Sequence, residues 1–393
     1  MHKKWIWQQK GWPKLFWQDS FLLPVLRTLR FKMGCLVGAS SVLSCNPNEL
    51  AMDMLVANIT HSSAIENERL DVPSVRSALS RRMGIACDTR NPALLRAEKL
   101  VEMQWEALNY NAPLTLGMLL QWHRCLFPVE DERTAWISPG QLRGPGVMQV
   151  VSGNRDNPII HFEAPPHEIL NNQLEEFIQW FNDSVTDVSL DPLLRAGVAH
   201  LWFVVLHPFQ DGNGRLTRAI TDMALAQACP QSRLLYAMSF TIFERRTEYY
   251  QALQTQECGG LDITEWLLWF LDTLTISIEQ SQQTINHPLV KKRFWIQHQA
   301  QNLRPEQIKI LDLLLSAEPQ EFMKGISASQ YQIFTNVSRA TASRHLAELQ
   351  ACGCLTRGSG RGRSTRYHLK MGVISNTGMA IVGDEELPVR EGL

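Results

Sequence analysis

Twelve residues constrain this chain more than any other stretch: His207-Pro208-Phe209-Gln210-Asp211-Gly212-Asn213-Gly214-Arg215-Leu216-Thr217-Arg218. An apolar run, Leu201-Trp202-Phe203-Val204-Val205-Leu206, leads into them, and a second apolar, helix-like segment from Ala219 to Ala228 follows. The glycines interrupt two helical patterns, so the spacing predicts helix, tight loop, helix. Free backbone N–H groups then gather at the start of the second helix, where the helix dipole favours an anion. Glycine on either side of Asn213 lets the backbone close on a phosphate. Asp211 suits a hard cation such as Mg2+. Arg215 and Arg218 stand three apart on the first helical turn, with Leu216 and Thr217 between them, and guanidinium forks bind phosphate. His207 titrates near neutrality and can accept a proton from an attacking hydroxyl. Together these groups describe phosphoryl or nucleotidyl transfer. The plainer reading is a helix-loop-helix with a capping asparagine and surface arginines, which leaves the co-occurrence of all these groups unexplained.

The remaining composition narrows the setting. A length of 393 residues with 45% apolar content supports two or three units with sizeable cores. The formal net charge of −1 gives no global field for nucleic acid or membrane, so any such binding needs a local patch. The eight cysteines lack zinc-finger or thioredoxin spacing and read as reduced, buried thiols in a cytoplasmic protein. Lys3 and Lys4 are followed by no long apolar stretch, so no signal peptide is expected, and the longest apolar runs fall short of a membrane span.

Read in order, the chain divides into 1–90, an N-terminal helical domain; 91–282, a core carrying the loop; 283–304, a connector; 305–370, a second domain; and 371–393, a tail. Ser20 is expected to cap the first long helix, with Pro24 in its first turn. Asp71 caps a helix that opens on Val72-Pro73. Residues 139–164 change character: two short apolar stretches flank Gly153-Asn154-Arg155-Asp156-Asn157, the pattern of a β-hairpin. Asp191-Pro192 opens the helix that delivers His207.

The central stretch resembles, position for position, the motif of the Fic (filamentation-induced-by-cAMP) domain family, His-x-Phe-x-Asp/Glu-Gly-Asn-Gly-Arg-x-x-Arg. The resemblance covers residues 1 to about 280. It implies a mainly α protein, a Fic helical core with a β-hairpin flap, that uses ATP as co-substrate to transfer AMP to a hydroxyl side chain of a target protein. By that likeness His207 is the general base and Asp211 holds Mg2+. Gly212, Asn213 and Gly214 form the anion hole, while Arg215, Leu216, Thr217 and Arg218 complete the phosphate site. The flap, with Ile160, His161 and Phe162, would register a target segment by strand addition. Tyr249 and Tyr250 resemble a nucleoside-pocket pair, although relatives carry asparagine at the position of Glu257; helical spacing alone reads the tyrosines equally well as core. Ser62-x-x-x-Glu66-Asn67 resembles the family's inhibitory helix, which implies that Glu66 pairs with Arg218 and displaces a phosphate. In some relatives the same glutamate serves removal of AMP.

Residues 305–370 read as three helices and a two-stranded hairpin, the order of a winged helix-turn-helix domain. Ser338 caps a recognition helix with Arg339, Thr341, Ser343, Arg344 and His345 exposed, and the wing carries Arg361, Arg363 and Arg366 with no acid. DNA is the partner this favours; protein contact or dimerisation is the alternative. The partners expected are thus a target protein, DNA through the winged helix and, as a homodimer, a second copy; no membrane is expected. Two other functions fit the same residues: a nucleotide-sensing, DNA-binding transcriptional regulator with little transferase activity, and a transferase that uses another phosphate donor.

Overall fold

Every residue of the helix Pro192–Leu206 from Leu193 onward is buried. Its sequence has no polar stripe, and a helix apolar all round belongs inside. A computed structural model of the protein describes residues 4–42, 47–84, 92–109, 112–127, 136–154, 157–299, 301–316, 325–358 and 365–370. The chain divides into two units, Met1–Ile285 and Asn286–Leu393.

In the first unit a 3-10 turn (Ile6–Gln8) precedes α1 (Asp19–Val42), α2 (Pro47–Ile65), α3 (Val72–Arg82), α4 (Pro92–Asn109) and α5 (Leu116–Leu126). The antiparallel strands β1 (Gln149–Asn154) and β2 (Asn157–Glu163) follow, with a bulge between Val150 and Val151. Then come α6 (His167–Asp183), α7 (Pro192–Leu206), α8 (Asn213–Ala228), α9 (Met238–Glu244), α10 (Arg246–Glu257) and α11 (Thr264–Gln297). The caps match the sequence chemistry: Asp71 accepts from Ser74 N, Thr115 from Met118 N and Asp191 from Leu193 N. α1 differs from expectation. It begins at Asp19, so Ser20 lies inside it and Pro24 is an interior residue. The short helix α9 carries no pattern long enough to announce itself.

The packing brings α11 hard against α7. Gly197 makes this feasible, because a Cβ there would stand 2.7 Å from Leu267 Cδ2. Trp266 Nε1 donates to the Gly197 carbonyl at 2.9 Å. Polar ties set α2 against α8: Asn58 and Gln104 both donate to Asp222 Oδ2 at 2.7 Å, and Asn58 Oδ1 accepts from Ser239 N at 2.9 Å. All three side chains are buried, so each needs these partners.

The second unit contains the end of α11, then α12 (Pro305–Ser316), α13 (Ala328–Thr335), α14 (Arg339–Ala351) and the antiparallel pair β3 (Leu355–Arg357) and β4 (Tyr367–Leu369). Ser327 caps α13 and Ser338 caps α14. The core gathers Phe294, Ile310, Leu311, Leu314, Tyr331, Leu346, Leu349 and Leu355. Residues 283–304, read from their glutamines and lysines as a partly helical connector, carry the helix on to Gln297, and Phe294 is buried in this unit's core. His345 also departs from expectation. It faces inward, 3% exposed, with Nδ1 at 3.0 Å from the Tyr331 hydroxyl. Arg361, Arg363, the tail 371–393 and the hairpin turn at 155–156 lie outside the described residues. Of the described cysteines, Cys125 and Cys354 are buried, while Cys35, Cys229, Cys258 and Cys352 are half-buried, so the thiols are less uniformly interior than expected. No described helix is long and apolar enough to cross a membrane.

Replacing Phe294 by alanine is expected to lower the unfolding free energy of the second unit by about 3–5 kcal/mol. Urea denaturation of the full chain reads this; an unchanged midpoint would show that Phe294 adds no packing to this core.

Candidate active site at the loop between α7 and α8

The chain leaves α7 through His207, which adopts left-handed φ 46° and ψ 55°. That conformation is unfavourable for a side chain with a Cβ and persists only when neighbours enforce it. Arg143 enforces it: its Nε donates to the His207 carbonyl at 2.9 Å, its backbone N–H to the Pro208 carbonyl at 3.0 Å, and its Nη2 to the Pro165 carbonyl at 2.5 Å. Asn213 then closes the loop on itself. Its Oδ1 accepts from Phe209 N at 2.9 Å and its Nδ2 donates to Phe209 O at 2.8 Å. The Asn213 side chain is thereby spent on the backbone, which leaves main-chain N–H groups to meet a ligand. Gly212 is left-handed at φ 81°, and a Cβ there would lie 2.8 Å from the Phe127 ring. His123 supports the loop from below. Its ring stacks on Phe209 at 4.3 Å, its Nδ1 accepts from Gly140 N at 2.8 Å, and its Nε2 lies 3.2 Å from the Asp211 carbonyl. Since Nδ1 accepts, Nε2 carries the proton and donates to Asp211 O. Arg143 and His123 have no sequence pattern that marks them; only packing gives them their roles.

His207 Nδ1 faces the Val204 carbonyl at 3.2 Å. A carbonyl can only accept, so the proton resides on Nδ1 and Nε2 holds the lone pair. Burial pushes the imidazole down to about 4, and the Arg143 guanidinium adds to this, against the pull of the Val204 carbonyl. At neutral pH the ring is a neutral base. Asp211 Oδ1 accepts from Gly212 N at 2.5 Å, and among the described residues no group of three acids, histidines or cysteines converges to hold a metal.

The arginines of α8 meet the end of α2. Arg218 Nη2 donates to Glu66 Oε1 at 2.9 Å and to the Ser62 carbonyl at 2.7 Å, and its Nε donates to Ser62 Oγ at 2.9 Å. The Glu66 carboxylate lies directly over Gly214, where a Cβ would collide with it. Asn67 is left-handed at φ 60° and turns the chain out of α2. Its Oδ1 accepts from Arg246 Nη1 at 2.8 Å. Arg215 Nη1 pairs with Glu68 Oε2 at 2.5 Å, and Glu68 Oε1 pairs with Arg96. Arg215 Nε and Arg218 Nη1 are buried donors with no hydrogen-bond partner. Leu216 and Thr217 are buried, and Thr217 Oγ1 donates to the Asn213 carbonyl at 2.8 Å, so both serve the helix rather than facing outward.

The two tyrosines separate. Tyr249 is buried, with its hydroxyl 3.0 Å from His200 Nε2, while Tyr250 is half-exposed and donates to the Ile65 carbonyl at 3.3 Å. Glu257 is buried. In the hairpin Ile160 is exposed, and His161 Nδ1 accepts from Gln254 Nε2 at 3.2 Å. Phe162 is not a surface residue: it is 1% exposed and meets the Trp5 ring edge-on at 5.5 Å. Period-two alternation would put Ile160 and Phe162 on one face; the bulge, which leaves His161 as the extra residue between their partners Val151 and Val150, breaks the alternation and turns Phe162 inward. Trp7 Nε1 donates to the Glu163 carbonyl at 2.6 Å, so the aromatic N-terminus braces β2.

Burial holds His123 and His207 at about 4 and His200 at about 3. Each lies below the ordinary imidazole value, so the stability it carries is complete above about pH 6.5 and is lost as pH falls toward the folded values. Asp222, raised to about 6 by burial, works the other way, its penalty easing as pH falls through 6. Three imidazoles outweigh one carboxyl. Melting temperature is expected to fall between pH 6.5 and 4, and His200→Gln to flatten that slope in thermal melts.

Comparison with known proteins agrees with this geometry. The Fic/DOC family profile matches residues 113–225, and a domain of unknown function, DUF4172, matches residues 5–85. A protein adenylyltransferase, fic-1 of Caenorhabditis elegans, is 26% identical over 207 residues, 52% of this chain and 37% of its own length. The protein adenylyltransferase Fic of Aedes aegypti is 27% identical over 209 residues, 52% of this chain and 38% of its own. The chain thus spans well under half the length of these relatives. The crystal structure of a Fic family protein from Desulfovibrio desulfuricans G20 shares the fold, with a TM-score of 0.51 at 19% identity over 90% of this chain and 98% of that one. The loop of His207, Asn213 and Arg218 therefore lies within a Fic/DOC family domain that this chain carries at residues 113–225.

Proposed function

We propose that this protein is an autoinhibited protein adenylyltransferase that transfers AMP from ATP to a hydroxyl side chain of a target protein. The observation that carries the reading is an anion site already filled from within: the Glu66 carboxylate rests on buried Arg218 over Gly214, at the N-terminus of α8. A triphosphate needs those same donors, and the unpartnered Arg218 Nη1 and Arg215 Nε are two more. The relatives named protein adenylyltransferases support ATP as the nucleotide.

In this reading the target hydroxyl gives its proton to His207 Nε2 as its oxygen bonds to the α-phosphorus, and the bond to the pyrophosphate oxygen breaks. Arg215, Arg218 and the main-chain N–H groups of Gly212, Asn213 and Gly214 take up charge on the phosphates. The fit to Mg2+ is that of a single carboxylate, Asp211, with water and phosphate oxygens completing the shell, which is how Mg2+ is commonly held. Bound there, the ion would neutralise phosphate charge. The exposed Ile160 edge of β2 presents the target segment as an added strand, and Tyr250 and Tyr249 border the nucleoside. Withdrawal of Glu66 releases activity, and the same carboxylate can orient water for removal of AMP.

Glu66→Gly is expected to raise incorporation of label from α-32P-ATP on the order of tenfold, the worth of one charge-assisted pair. Adding His207→Ala is expected to remove it by about 10²–10⁴-fold, the worth of a general base. Equal labelling by wild type and Glu66→Gly would sink the autoinhibited reading.

For the second unit we infer contact with DNA through α14. Arg339, Ser343 and Arg344 are exposed on it and Thr341 is half-exposed, whereas Arg366 turns to Gln330 and His345 is buried. The readers on this surface are therefore fewer than the sequence promised. The exposed Arg339, Ser343 and Arg344, which remain among the described residues, are what support a reading in which nucleotide state and DNA contact share one chain. Arg339→Ala with Arg344→Ala is expected to weaken binding to duplex DNA and lower the log–log salt slope by about 2, one per lost phosphate contact. Filter binding at several salt concentrations measures both.

A further inference from the structure

Glu66 is not the only carboxylate that the end of α2 sends to α8. The helix closes with Glu66 N and Glu68 N both donating to the Ser63 carbonyl at 3.0 Å, and Asn67 turns left-handed between them. That turn aims two acids, one residue apart, at the same helix N-terminus. Glu66 takes Arg218 and Glu68 takes Arg215. The Glu68 side chain is 18% exposed and Arg215 is 6% exposed, so water does little of the screening. Glu68 is gripped on its other oxygen by Arg96 of α4. On the far side Tyr250 and Arg246 of α10 hold Ile65 and Asn67. The segment is thus fastened from α4, α8 and α10 together.

Buried arginines in this fold do not require acids. Arg195 is equally buried and is satisfied by neutral acceptors, Ser184 Oγ, the Phe181 carbonyl and Gln227 Oε1, at 2.8, 2.6 and 3.0 Å. The two arginines at the start of α8 are the ones that face carboxylates, and both carboxylates come from one exposed turn. Arg215 keeps Nε unpartnered while Glu68 holds Nη1, and its guanidinium lies 4.9 Å over the Phe127 ring. It is a fork fixed in place with one prong taken by an internal anion.

We propose that Glu68 is a second inhibitory carboxylate, which occupies Arg215 against the phosphates of an incoming nucleotide independently of Glu66. This rests on the reading of the loop as a nucleotide site. Removing Glu66 alone then leaves Arg215 engaged, and full access needs both acids withdrawn, which the turn at Asn67 couples into one movement. The contacts to Arg96 and Arg246 place the release handle outside the phosphate site: a partner that draws the 65–68 turn away from α4 and α10 frees both arginines at once.

Isothermal titration of the full chain with inorganic tripolyphosphate and with ATP tests this in wild type, Glu68→Gln, Glu66→Gly and the double variant. Glu68→Gln is expected to tighten tripolyphosphate binding about three- to tenfold, the range of one net hydrogen bond. The double variant is expected to exceed Glu66→Gly by the same factor, since the two acids hold different arginines. Unchanged or weaker binding by Glu68→Gln at an unchanged melting temperature overturns the proposal and makes Glu68 a structural counter-ion. Should Glu68→Gln melt early, Glu68→Asp, which keeps the charge but shortens the reach to Arg215, replaces it, with the same tightening expected and its absence overturning the lock. If tripolyphosphate binding tightens as expected while no variant transfers AMP, the lock stands and the transferase reading fails. If no variant binds tripolyphosphate, both fail.

Discussion

A helix with no polar face can be buried along its whole length, but its last carbonyls and the chain that follows still need partners. α7 meets this at His207, and the solution organises the site. The left-handed residue, the Arg143 clamp on two successive carbonyls and the Asn213 staple on Phe209 together reverse the chain within six residues and start α8 with its N–H groups exposed to one point. The site's chemistry follows from that turn. The His207 imidazole is neutral at pH 7 because it is buried at the end of a buried helix, and backbone N–H groups converge beside it because α8 begins there.

Charge is the second constraint. Two arginines at the start of a buried helix form an unfavourable pair beside a positive dipole end. Carboxylates delivered from α2 relieve this in the closed form, and phosphates would relieve it in a loaded one. The same electrostatic need is met here by the carboxylates and, on the proposed function, would be met by the phosphates that displace them. Glu66 is about a third exposed, so its pair with Arg218 is screened and open to competition.

Much of this was legible in the sequence. The helix-loop-helix, the caps at Asp71 and Asp191 and the hairpin rest on local patterns, namely glycine placement, aspartate and proline at helix starts and short apolar stretches about a turn; the pairing of Glu66 with Arg218 is implied only by the resemblance to the Fic family. What stayed illegible depends on tertiary neighbours. Arg143 and His123 work through backbone carbonyls, which any sequence offers. Phe162, placed on the flap by the resemblance, and His345, read as exposed on its helix, are turned inward by packing against Trp5 and Tyr331. The polar stretch after residue 282 hid a helix because its buried positions, Ile285 and Phe294, are sparse among glutamines and lysines.

The buried knot of Asn58, Gln104 and Asp222 bears on how the proposed autoinhibited state would open. Asn58 stands one turn before Ser62 on α2 and is bonded at both ends of its amide, to α8 and to the start of α9. Swinging α2 as a rod would pull Asn58 from Asp222 and Ser239, whereas unwinding the segment beyond Ser62 leaves those bonds in place and costs the hydrogen bonds of Ser62 and Glu66 to Arg218 and the burial of Ile65. On the proposed autoinhibition, the bolt would then fray instead of sliding: exchange of amide hydrogens from Ser63 to Glu68 would report the opening, while the turn carrying Asn58 would keep its protons with the core.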